Sequence, residues 1–165
     1  MSTQAVADVV VDVVDEAGTA ALAARVAAAV CGAVDVDPAF AALWPTPRTP
    51  LVLTLQGTLG AGKTTFVRSL VAALPGGVDV VVQSPTFALL RTYATTPAVH
   101  HMDLYRLVDV EGAARAARDL GLLDEIHGLA VVEWPIADID WGVPVVEAVI
   151  DVDAGSARRF TFRPR

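Results

Sequence analysis

Residues Leu51 to Leu74 read LVLTLQ-GTLGAGKT-TFVRSLVAAL, and the central stretch, Gly57 to Thr64, fits the phosphate-loop pattern G-x-x-x-x-G-K-[ST]. Gly57, Gly60 and Gly62 allow tight backbone bends that turn N–H groups inward as a nest for anionic oxygens. Lys63 can reach β- and γ-phosphates as a mobile point charge, and the Thr64 hydroxyl can ligate Mg²⁺. The apolar run Leu51 to Gln56 suits a buried parallel strand. Phe66, Val67, Leu70, Val71 and Leu74 recur at helical spacing until Pro75-Gly76-Gly77. Strand, glycine loop and helix in that order put phosphates at the positive end of a helix dipole.

The 165-residue chain favours a single domain with a substantial core. Hydrophobic residues make up 54 % and the mean hydropathy is +0.52. No apolar run reaches the length of a membrane span, because Arg25 and Gly32 interrupt the Ala-rich stretch Thr19 to Val34. Asp8 and Asp12 break the first apolar run, which lacks a basic flank, so a secretory signal is not expected. One cysteine, Cys31, leaves no internal disulfide and suits the cytoplasm. The net charge of −7 disfavours gripping nucleic acid by its backbone. The one basic cluster, Arg158, Arg159, Arg163 and Arg165, reads either as contacts to phosphate or as a solubilising edge strand with a basic tail at 163–165.

Along the chain, Val9 to Val14 reads as a first strand and Ala20 to Val30 as a helix. A proline-rich loop, 32–50, follows, with one helical turn near Ala39 to Leu43; it is long enough to be mobile or to lie over the surface. Strands are expected at Val78 to Val82, Phe87 to Tyr93, Ala98 to Asp103 and Leu129 to Val132. Short helices are expected at Asp109 to Arg118 and Leu120 to His127, the second turning Leu122, Leu123 and Ile126 inward. Val145 to Val152 and Arg159 to Phe162, parted by Asp153 to Ser156, read as a hairpin. The sum is an α/β architecture, a mixed and mostly parallel sheet with helices on both faces and a C-terminal β-hairpin.

Two acids stand where strands would deliver them, Asp103 after VHHM and Glu133 after LAVV. Either can hold Mg²⁺ through its water shell while the other orients an attacking water. Ser84-Pro85-Thr86 forms a turn whose hydroxyls can contact a γ-phosphate or metal. His100 and His101 are neighbours on a strand and face opposite ways, so a shared zinc ion is not expected. Trp134 and Pro135 read as packing or as a wall beside the nucleotide.

The succession GTLGAGKTTFVRSL, QSPTFALLRTY, HHMDLYRL, LGLLDEI and VVEWP closely resembles the TsaE (YjeE) family, the bacterial ATPase component of tRNA threonylcarbamoyladenosine biosynthesis. The resemblance spans roughly Val9 to Phe162 and implies a small P-loop NTPase fold. It implies that Gly60, Ala61, Gly62, Lys63, Thr64 and Thr65 bind the ATP or ADP phosphates, and that Thr64 and Glu133 bind Mg²⁺. Asp103 would be the second essential acid, and the segment holding Ser84 and Thr86 would be switch-like. Asp15 and Glu16 match a stretch near the adenine, and Arg158 or Arg159 a basic position near the nucleotide. The implied partners are TsaD and TsaB, with tRNA reached through them and no membrane involved. Two departures stand out: Thr58 replaces the family's usual Asp, and the stretch Asp35 to Pro50 is longer than the usual link.

Three rivals share the loop. A small-molecule kinase would want an arginine-rich lid, and Arg115 and Arg118 are sparse. A GTPase would want an N-K-x-D segment, which is missing. A nucleotide-sensing module would bind without turnover.

Overall fold

The computed structural model describes residues 6–44, 49–124, 126–155 and 157–165. Seven strands form one sheet: β1 (Val9–Val13), β2 (Leu51–Gln56), β3 (Leu90–Tyr93), β4 (Val99–Asp103), β5 (Leu129–Glu133), β6 (Val145–Val152) and β7 (Arg158–Pro164), in the order β1-β7-β6-β2-β5-β4-β3. The four central strands, β6, β2, β5 and β4, run parallel. Both flanks are antiparallel, β1 on β7 on β6 at one side and β3 on β4 at the other. The mostly parallel sheet of the sequence reading is therefore this centre. β2 is buried along Leu51 to Leu55, as a strand covered on both faces must be.

Helices α1 (Glu16–Cys31), α2 (Pro38–Leu43) and α3 (Lys63–Ala73) cover one face, and α4 (Ala113–Asp119) the other. The period-2 alternation of the strands sorts their side chains between two cores. Leu51, Leu53, Leu55, Leu129, Val131, Phe160 and Phe162 meet Val26, Phe66 and Leu70 on the first face. Val52, Met102, Ala130 and Val132 meet Ala117, Leu122 and Ile126 on the second.

Several sequence expectations are corrected. Val78 to Val82 is not a strand: Val80 N–H bonds the Gly77 carbonyl, and Val78 and Val81 face solvent. Valine favours extended backbone, but a strand exists only where a ladder partner is available, and β3 already takes the edge beside β4. That edge strand begins at Leu90, because Thr86 to Ala88 form a turn and Leu89 takes φ 64°.

Asp109 to Gly112 are turns, so the helix there starts at Ala113. Leu120 to Asp124 are turns too. Gly121, at φ 71°, ends α4 in a Schellman arrangement, with Gly121 N–H on Arg118 O and Leu122 N–H on Ala117 O. Leu122 and Ile126 are still buried.

Part of the 32–50 loop packs into the core: Asp37 caps α2, whose Phe40 packs edge-on to Phe162 at 5.5 Å, and Leu43 and Trp44 are buried. Pro45 to Arg48 of that loop, and Ser156 in the hairpin turn, lie outside the described residues. Arg163 belongs to β7 rather than to a tail and pairs with Asp8 at 3.7 Å.

Candidate functional site

β2 runs into the glycine loop, and α3 leaves it at Lys63. Glycine is required at two points for different reasons. A Cβ on Gly57 would sit 2.8 Å from the Ile150 carbonyl of β6, so the loop could not lie against the sheet. Gly62 caps α3 at φ 101°, which L side chains rarely adopt. The first-turn amides of α3 thus open onto a cleft of about 390 Å³, lined by Gly60, Gly62, Lys63, Thr64, Thr65, Ser84, Thr86, Asp103, Glu133 and Arg158. Leu59, Tyr105 and Trp134 complete its wall.

The cleft sits at the carboxyl ends of the parallel strands, where open α/β sheets bind ligands. In the register of β4 with β5, Asp103 lies opposite Glu133. The Thr64 hydroxyl, in the first turn of α3, donates to Glu133 at 2.8 Å and 3.0 Å from its two carboxylate oxygens. Asp103 Oδ2 instead accepts from Ser84 Oγ at 2.9 Å and Thr86 Oγ1 at 2.7 Å, and its Oδ1 accepts from Tyr105 N–H at 3.0 Å. The Ser84 and Thr86 hydroxyls, read from sequence as facing phosphate or metal, are here turned onto that carboxylate.

Lys63 is buried, with Nζ donating to the carbonyls of Gly57 at 2.7 Å and Thr58 at 2.9 Å. The ammonium also lies 3.9 Å from the centre of the Trp134 ring, a cation–π contact. Burial lowers the Lys63 pKa from the ordinary lysine range, and the carboxylates of Glu133 and Asp103 oppose that shift. Trp134 is held at φ 55° and tilts against Tyr105 at 5.0 Å between centroids. It is therefore a wall of the cleft.

Of the two arginines left open by the sequence, Arg158 lines the cleft and Arg159 does not. Arg158 shares a strand face with buried Phe160, and its Nε donates to the Ala61 carbonyl at 2.9 Å. Arg159, one residue on, faces the other way and pairs with Asp12 at 2.7 Å. Asp15 caps α1 by accepting from Gly18 N–H at 2.7 Å, and shares a small recess with Thr65, Gly62 and Arg158.

Sequence reasoning weighed His101 only with His100, as a zinc pair it did not expect, and gave it no role beside Glu133. Its Nε2 is 2.8 Å from Glu133 Oε1 with the imidazole fully buried. The signal was strand parity: His101 stands two residues before Asp103 and so shares its face. His100 is turned to the other face, near His127.

The chain can be set beside known proteins on this geometry. A model of the family described as "Threonylcarbamoyl adenosine biosynthesis protein TsaE" matches residues 13–160. Over 87 residues the chain is 44 % identical to the tRNA threonylcarbamoyladenosine biosynthesis protein TsaE of Bacillus subtilis, covering 50 % of this chain and 49 % of that protein. Over 85 residues it is 40 % identical to the Treponema pallidum protein of the same name, covering 50 % and 58 %. The match thus spans about half the length of these relatives. The crystal structure of Bacillus subtilis YdiB matches with a TM-score of 0.61 at 25 % identity, covering 97 % of this chain and 87 % of that one. With a family model matched over nearly its whole length and a solved structure sharing its fold, the chain belongs to the TsaE family.

Proposed function

We propose that this chain binds and hydrolyses ATP with Mg²⁺, and that it acts with TsaD- and TsaB-type partners in forming threonylcarbamoyladenosine on tRNA. It does not itself transfer the threonylcarbamoyl group. The described residues are read as one ATPase unit working in the cytoplasm. The observation that carries this reading is the meeting of Thr64, at the start of α3, with Glu133, at the end of β5, beside the amides of a glycine loop. A loop alone holds phosphate; a hydroxyl and a carboxylate joined beside it form a hard-oxygen donor set suited to Mg²⁺.

Gly60, Ala61, Gly62, Thr64 and Thr65 supply backbone amides to the phosphates, and Lys63 turns from the Gly57 and Thr58 carbonyls toward them. Bound Mg²⁺ would neutralise charge that develops on the transferring phosphoryl group. Thr64 and Glu133 hold that ion, while Asp103 fixes the Ser84–Thr86 turn and orients the attacking water. Arg158 adds positive charge at the loop, and Asp15 with the start of α1 borders the nucleoside side. With a net charge of −7 the chain leaves the grip on tRNA to its partners.

The test is phosphate release by the chain alone, with each partner singly, with both, and with tRNA added. Slow turnover that rises with both partners is expected, since loop closure or a supplied residue can add ~10³–10⁵ in rate. Rapid turnover by the chain alone, or transfer of phosphate to a small metabolite, would replace this reading with a kinase.

A further inference from the structure

The Thr64–Glu133 pair does not stand alone, because one oxygen of Glu133 is also held from beneath the sheet end. His101 is fully buried, with Nε2 at 2.8 Å from Glu133 Oε1. An ionised carboxylate only accepts, so Nε2 carries the hydrogen and donates. The contact follows from the β4–β5 register: His101 lies opposite Val131 and Asp103 opposite Glu133, which makes His101 the diagonal neighbour of Glu133 on the same face. Behind the imidazole, Nδ1 faces Tyr93 Oη at 3.4 Å, and the two rings lie 6.1 Å apart. Tyr93 is buried and donates to the Gln83 carbonyl at 3.1 Å, so the ring under His101 is itself tied down.

From this geometry we infer that His101 is a positioning residue. Its Nε2–H bonds Glu133 Oε1, which the Thr64 hydroxyl also reaches at 2.8 Å, and so fixes the rotation of the carboxylate, holding it preset beside that hydroxyl. A buried imidazole needs some partner. A merely satisfied core histidine, however, has no reason to bond the one carboxylate that also receives the Thr64 hydroxyl. Outer partners of this kind orient ligands, and their loss typically lowers metal affinity by about 10–100-fold. The inference rests on reading Thr64 and Glu133 as the Mg²⁺-holding pair.

The test compares binding of a non-hydrolysable ATP analogue by calorimetry in EDTA and in Mg²⁺. It uses the wild-type chain, His101→Leu, and His101→Gln, which keeps an N–H donor. His101→Leu should weaken binding in Mg²⁺ by about tenfold and leave binding in EDTA within about twofold, with His101→Gln recovering most of the loss. Folded His101→Leu with unaltered Mg²⁺ dependence overturns the inference. Equal loss in both media also overturns it, since that is the signature of packing alone.

If His101→Leu does not fold, imidazole NMR of the wild-type chain decides. The His101 Nε2–H signal should move when Mg²⁺ is added to the analogue-bound protein, and a signal that stays in place overturns the inference. A wild-type chain whose binding ignores Mg²⁺ is a different failure: it removes the MgATP reading itself, and the role of His101 with it.

Discussion

Asp103 and Glu133 end neighbouring parallel strands, opposite each other in register, both buried and both facing α3. Sequence treats them alike, and their surroundings do not. Glu133 is reached by a hydroxyl of the phosphate-loop helix and by His101. Asp103 gathers the hydroxyls of Ser84 and Thr86 and the amide of Tyr105. One carboxylate is bound to the side of the cleft built on β2, β5 and α3. The other anchors the irregular segment between α3 and β3, whose Ser84 and Thr86 line the cleft. Strand position delivers an acid to a site, and the element above it decides what that acid can do.

The strongest way to break this contrast is Glu133→Gln, which keeps shape and removes the charge next to Thr64. Hydrolysis should fall by about 10²–10³, the usual range for a preorganised electrostatic group, while nucleotide binding falls less. Single-turnover phosphate release alongside calorimetry checks both. Normal hydrolysis would mean that Glu133 and Asp103 have been given each other's parts.

Lys63→Ala comes next. It removes the cation from beside the Gly57 and Thr58 carbonyls and from the Trp134 face. ATP affinity should drop by ~1.5–3 kcal/mol, the range for a charge-assisted contact. Thermal stability should change little, because burial already disfavours the charged ammonium in the fold. Unaltered ATP binding by a folded Lys63→Ala chain would sink the phosphate-loop assignment.

Asp103→Asn sharpens the other side of the comparison. It weakens the acceptor shared by Ser84 and Thr86, so the effect should be local. The Leu89 amide, bonded to the Pro85 carbonyl at 2.6 Å, reports on that segment. Its hydrogen-exchange protection should fall by about tenfold, in keeping with a net hydrogen-bond contribution of ~0.5–1.5 kcal/mol, while amides in β2 and β5 keep theirs. Loss of protection in β5 as well would show that the two acids belong to one cooperative unit.

The same contrast explains what could be read from the sequence. LVLTLQ-GTLGAGKT announces strand, loop and helix because each signal is local: an apolar run, glycines, then a 3.6-residue period. LAVVE places Glu133 for the same reason, since a short apolar run ending in an acid describes a buried strand with its acid at the carboxyl end. Val78 to Val82 misled because valine content states a preference for extended backbone without naming a ladder partner. The helix expected at Leu120 failed at Gly121, whose positive φ closes α4 instead. The burial of Phe40 and Trp44 was hidden because it depends on Phe162 and the first core, far along the chain. The contact of His101 with Glu133 was missed because parity gives its face, while its reach across to Glu133 depends on strand order and register, which no local pattern encodes.

The smallest expected effect separates two adjacent arginines. Arg158 lies on the face of β7 that looks toward the loop, and Arg159 on the opposite face against Asp12. Arg158→Ala should therefore weaken ATP binding by ~1 kcal/mol, about fivefold, as for loss of one partly exposed polar contact. Arg159→Ala should leave ATP binding alone and show itself in the pH dependence of stability. The hydrogen bond from Arg159, aided by its charge, holds the Asp12 carboxyl below the ordinary aspartate range. A folded pKa below the unfolded one means that the unfolded chain binds the extra proton. The pair's stabilisation is thus fully present above the ordinary range, about pH 4, and is lost as the pH falls through the lowered folded value. Both groups are well exposed, so the contribution is small and salt should screen it. Acid unfolding curves of wild type and Arg159→Ala should converge at the lowest pH and separate slightly above pH 4, more at low salt than at high. Weakened ATP binding in Arg159→Ala with none in Arg158→Ala would reverse the assignment of the two arginines.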